Sequence, residues 1–101
     1  MDRYKKIKEM EIILDTYREK VDRMNEMLDS FEEYHHDYQK LMEYYGSQEY
    51  MDDINDANKG LIPSDIKCGV LSEDAVWDLI GDNYEVAIKM LEVATNMIRR
   101  R

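Results

Sequence analysis

Two overlapping carboxylate–histidine pairs are the residues best suited to chemistry. Glu32 with His35, and Glu33 with His36, both have E-x-x-H spacing. On a helix, positions i and i+3 share a face, and carboxylate-bridged di-iron bundles take ligands at this spacing with further glutamates from other helices. No second E-x-x-H segment exists in the chain, so such a centre needs two copies, as in a dimeric metal-carboxylate protein. The competing reading is a core histidine bonded to a nearby carboxylate or backbone carbonyl. It is favoured, because His35 falls on the apolar stripe of its helix. Asp53, Asn55, Asp56 and Asn58 are similar in type to a calcium loop, but D-x-[DN]-x-[DN]-G fails in every frame. Starting at Asp56, the twelfth position is Lys67 where a bidentate glutamate is needed. Cys68 is the sole cysteine, and no motif fixes a histidine beside it, which argues against a nucleophile. Phosphate loop, H-E-x-x-H and serine elbow are all missing. The expectation is a protein that is not an enzyme, with no catalytic residues, no cofactor and no metal.

The surfaces that could meet a partner are of two kinds. Asp74, Asp78 and Asp82 lie one helical turn apart on one face. Like charges at i, i+4 cost a few tenths of a kcal/mol. A solvated face is the plainer reading, and a docking surface for a basic partner is the functional one. Tyr34, Tyr38, Tyr44, Tyr45 and Tyr50 fall in one short span, with Trp77 expected nearby. Aromatic clusters form binding hot spots, though at helical spacing they more often fill a core. Tyr44 sits off the stripe and is the best exposed contact. The candidate partner-contact residues are therefore Tyr44, Asp74, Trp77, Asp78 and Asp82.

Long helices must carry these groups. From residue 4 to 45, Ile7, Leu14, Val21, Leu28, His35 and Met42 alternate with Met10, Tyr17, Met24, Phe31, Tyr38 and Tyr45. Spacings of three and four mark one helix face. A third column, Ile13, Met27, Tyr34 and Leu41, widens the stripe beyond a two-stranded seam. Nothing breaks this helix before Gly46, so it should span about 60 Å. Ser47 is suited to cap a second helix at about 48–58, with Tyr50, Met51, Ile54 and Ala57 on its apolar side and Gly60 after it. Residues 61–71 read as a tight connector that turns Leu61, Ile62, Ile66, Val70 and Leu71 inward, punctuated by Pro63 and Gly69. Ser72 should cap the last helix, at about 73–99, with Glu73 and Asp74 in its first turn. That helix is polar along one narrow stripe only, as an inner helix is. Asn83, in line with Val76, Met90 and Met97, would fix register.

Composition narrows the classes. Fourteen bases against 23 acids give a net charge of −9, which argues against nucleic-acid binding. Apolar residues at 44 % are enough for a core. A single thiol beside eight methionines suits a reducing, cytoplasmic setting. The opening MDRYKKIKEM has no apolar run and does not read as a signal peptide. No stretch approaches the ~18 apolar residues of a membrane span.

Three segments are similar to one known family. GVLSEDAVWDLIGDN (Gly69 to Asn83), LMEYYGSQEY (Leu41 to Tyr50) and the M-L-x-x-A-T ending (Met90 to Thr95) resemble the bacterial family known as domain of unknown function 4298, over essentially the whole chain. The resemblance implies a bacterial origin and a helical fold. It carries no activity, substrate or catalytic residue to transfer.

The fold expected is all-α: a single domain over residues 1–101 in which long first, short second and long last helices form an antiparallel, coiled-coil-like bundle. Antiparallel packing would gather Arg3, Lys5, Lys6 and Lys8 with Arg99, Arg100 and Arg101 at one end, leaving the other acidic. The stripe of the first helix is too broad for one chain to cover, so a homodimer is expected. The leading function is a non-catalytic helical interaction or regulatory protein. The alternative is an acidic inhibitor or nucleic-acid mimic that occupies a basic site. The dimeric metal-carboxylate protein is third.

Overall fold

The computed structural model describes residues 3–100. Arg101, counted above in the basic end, lies outside the described residues. The chain is all-helical: α1 (Lys5–Tyr45), α2 (Gln48–Asn58), one 3-10 turn (Gly69–Leu71) and α3 (Ala75–Arg99). It divides into two compact units, one through Met42 and one from Glu43.

The first unit is a single helix, most of α1. No glycine or proline interrupts it, and ion pairs at helical spacing run along its surface: Lys5–Glu9 at 3.9 Å, Glu19–Arg23, and Asp37–Lys40 at 3.8 Å. Each such exposed pair contributes only about 0.3–0.5 kcal/mol. No residue of α1 is buried. Phe31, at the centre of the stripe, is 53 % exposed, and Tyr34 is 70 % exposed. His35 departs from its expected core position. It is exposed, and its ring stacks on Tyr38 at 6.2 Å and 26°. One helix has no second wall to enclose a stripe, so a residue on that stripe stays in water.

The second unit starts where α1 stops. Ser47 does two jobs there. Its hydroxyl donates to the Tyr44 carbonyl at 2.6 Å and accepts the Tyr50 N–H at 3.2 Å. The same residue thus satisfies an end carbonyl of α1 and an open N–H of α2. At the other end of α2, Gly60 adopts φ +69°. Its N–H reaches the Ala57 carbonyl at 3.1 Å, and the Leu61 N–H reaches the Asp56 carbonyl at 3.0 Å. These two bonds make a Schellman stop, whose left-handed residue is best glycine.

Beyond it the connector departs from expectation. Ile62, Val70 and Leu71 are half-buried, but Leu61 and Ile66 are exposed. Leu61 is fixed by the Schellman bond, and Ile66 closes a turn onto the Pro63 carbonyl at 3.1 Å. Backbone bonding rather than apolar burial sets both positions. Ser72 does not cap α3. Its N–H and hydroxyl both go to the Gly69 carbonyl, at 3.1 and 2.8 Å, closing the 3-10 turn. The last helix therefore begins at Ala75 with Asp74 as its N-cap, and Asp74 makes no side-chain capping bond.

Both α2 and α3 pack on the 3-10 turn. Among the described residues the buried side chains are Tyr50, 6 % exposed, and Val76, 3 % exposed. The Tyr50 hydroxyl donates to the Val70 carbonyl at 3.3 Å, tying α2 to the turn. Past that point α3 is not the inner helix its composition suggests. Ile80 and Ile88 are half-buried, while Leu79, Asn83, Tyr84, Met90, Leu91 and Met97 are exposed. The small core around the 3-10 turn ends within two turns of Ala75, and beyond Ile80 the described residues of α3 other than Ile88 are exposed.

Candidate functional site

The most organised side-chain cluster is the joint between α1 and α2. Tyr44 and Tyr45 are consecutive on the last turn of α1, so they splay to different sides. Tyr50 rises from the first turn of α2 and takes an edge contact from each, at 5.2 Å from Tyr44 and 5.1 Å from Tyr45. Edge-to-face pairs of this kind contribute about 0.5–1.5 kcal/mol each beyond burial. The Tyr44 hydroxyl donates to a carboxylate oxygen of Asp53 at 2.5 Å. That bond spans the turn and pins α2 back onto the end of α1. It also pushes the Tyr44 pKa up to about 12, because ionising the phenol would destroy the bond. Partial burial and the charges of Asp53 and Glu49 add to the effect.

Tyr44 is thus half-buried with its hydroxyl engaged, not the free aromatic contact its off-stripe position suggests. The other four candidates lie together at the start of α3. Asp74, Trp77, Asp78 and Asp82 are all exposed, and Trp77 is 67 % exposed. Among the described residues, Trp77 has no ring contact with the tyrosines. The expected aromatic neighbourhood is therefore three tyrosines around one turn, with the indole separate from them. His35 and His36 are exposed on α1, and no group of three or more His, Cys, Asp or Glu side chains is placed to share a metal ion among the described residues. Cys68 is half-buried and its thiol donates to the Ile66 carbonyl at 3.4 Å. No helix among the described residues is long and apolar enough to cross a membrane.

Two hydrogen bonds of the joint are not legible in the sequence, the Tyr44–Asp53 bond and the second bond of Ser47. Their only signal was the short break at Gly46, which forces the ends of two helices together.

The features that remain are a tightly built helical joint and two long helices whose apolar faces are uncovered in their own units. They define a class, all-α proteins that present helix faces. Within it, residues 7–93 match the family described as Domain of unknown function (DUF4298), and the chain belongs to that family. No curated protein matches the chain.

Proposed function

We propose that this chain is a non-catalytic helical interaction protein that first assembles with itself, as a homodimer in the bacterial cytoplasm. One observation carries the reading. The apolar stripe of α1, from Ile7 to Phe31, is exposed along its whole length with nothing in its own unit to cover it. Isolated helices are marginal in water, and helix stability in proteins comes mostly from packing an amphipathic face. The surface ion pairs on α1 are too weak to replace such packing. An uncovered stripe of this length exceeds what soluble monomers tolerate, and two-fold pairing is the commonest closed solution. The antiparallel bundle expected from the sequence then forms between chains as much as within them. Light scattering coupled to size exclusion at micromolar concentration tests this. Twice the 12.1 kDa chain mass is expected, and a single-chain mass unchanged on concentration overturns the reading.

A second reading rests on a different observation. Exposed Asp74, Asp78 and Asp82 share the start of α3 with exposed Trp77, which suits docking of a basic protein or mimicry of a nucleic acid. Capture of a basic protein that is lost as salt rises, and that Asp78→Asn weakens, separates this reading from the first. The third reading, a metal shared between two copies through Glu32 and His35, predicts stoichiometric metal in protein purified without chelators.

A further inference from the structure

We infer that the second copy docks its own α1 antiparallel along this α1, with Arg18 of each chain against Glu32 of the other. The inference rests on the homodimer reading and adds its surface, orientation and register.

Charge decides the orientation. Residues 5–25 of α1 hold six bases and five acids, while residues 26–45 hold one base and six acids. The two halves thus carry +1 and −5. Parallel pairing sets −5 against −5 along half the interface. Antiparallel pairing sets each −5 half against a +1 half.

Register follows from the stripe. With the two-fold axis beside Glu26, every position of the first apolar column stands opposite one of the second. Leu14 meets Tyr38, Val21 meets Phe31 and Met24 meets Leu28. Parallel pairing would instead stack His35 on His35, placing two titratable rings in one layer.

The flanks agree. In antiparallel coiled coils, like flanking columns face each other across the seam. On one side Ile13 stands beside Leu41, Met27 beside Met27 and Tyr34 beside Lys20, so the third apolar column mostly meets itself. The third column thus adds apolar contact at the edge of the a/d seam. On the other side Arg18 meets Glu32 twice by symmetry. Neither residue makes an ion pair among the described residues, so both are available. Parallel pairing would put Ile13 beside Arg18 and Met27 beside Glu32.

A spin label at Ile12→Cys in a Cys68→Ser background measures the orientation. Ile12 points away from the stripe, so the label does not disturb the seam. The register above separates the two labels by about 42 Å along the axis at helical rise. In-register parallel pairing brings them within about 25 Å, given 8–10 Å between helix axes. The short distance in a two-chain particle overturns the orientation and leaves the homodimer standing. A single-chain mass with no distance between labels overturns both. A two-chain mass with any other distance means that another surface, such as α3, makes the dimer, and overturns this assignment. The charge pair gives an independent check. Arg18→Glu should weaken association about tenfold by placing like charges together twice. Adding Glu32→Arg should restore it. Failure of the double variant to recover association removes the proposed contact.

Discussion

Replacing Ser47 by alanine removes both hydrogen bonds that its hydroxyl makes at the α1–α2 joint, and the structure sets the size of the loss. The first is the N-cap bond, in which the hydroxyl accepts the Tyr50 N–H at 3.2 Å. Cap substitutions of this kind cost about 1 kcal/mol. The second is the hydroxyl's donation to the Tyr44 carbonyl at 2.6 Å. A net hydrogen bond contributes about 0.5–1.5 kcal/mol, but this carbonyl also accepts the Ser47 N–H at 3.0 Å. It is not left bare, so the low end applies. The expected total for Ser47→Ala is about 1.5 kcal/mol. Ser47→Thr keeps both bonds and should stay within about 0.5 kcal/mol of the parent. Ser47→Asp keeps the acceptor and loses the donor, so it should fall between the two. Urea denaturation followed by circular dichroism, at one fixed protein concentration because assembly adds stability, reads all four proteins. Alanine within about 0.3 kcal/mol of the parent, or aspartate as poor as alanine, would refute the double role of Ser47.

The joint also predicts a pH dependence. The folded pKa of Tyr44, about 12, lies above its ordinary value of 10.0. The Tyr44–Asp53 bond therefore contributes its stability in full below pH 10 and loses it as pH rises toward 12. The stability difference between parent and Tyr44→Phe should be flat below that window and shrink across it. A tyrosinate titrating near 12 should be present in the parent and missing from the variant. The glycines give opposite signs at equal steric freedom, since a Cβ would meet nothing within 4 Å at either Gly60 or Gly81. Gly60→Ala should cost about 1 kcal/mol through its left-handed φ, and Gly81→Ala, inside α3, should gain about 0.5–1 kcal/mol. Thermal unfolding of both variants would contradict this if the two shifts shared a sign.

Much of the helical plan was legible because it rests on local signals. Gly46 and Ser47 mark the α1–α2 boundary, and the 3.5-residue period marks the face of α1 without reference to any other residue. Sequence places the start of α3 too early because Ser72 is a good cap by type. The carbonyl of Gly69, three residues back, claims both its N–H and its hydroxyl. Periodicity puts His35 in a core because it identifies a face and says nothing of what covers it. The same reasoning placed α3 inside a bundle, although its own unit covers little beyond Val76. Tyr44 looked free because its bond to Asp53 depends on the angle of a turn, which no spacing rule encodes.

Self-association is tested most directly by following helicity and mass together through a dilution series. If a second copy covers the stripe of α1, the helix loses its cover as the dimer dissociates, and a lone helix is only marginally stable in water. Mean residue ellipticity and light-scattering mass should then fall in step, from twice the 12.1 kDa chain mass toward a single chain. Phe31→Asp, on the exposed stripe, should shift both curves to higher concentration. A single-chain mass with undiminished helicity at every concentration would contradict assembly through α1.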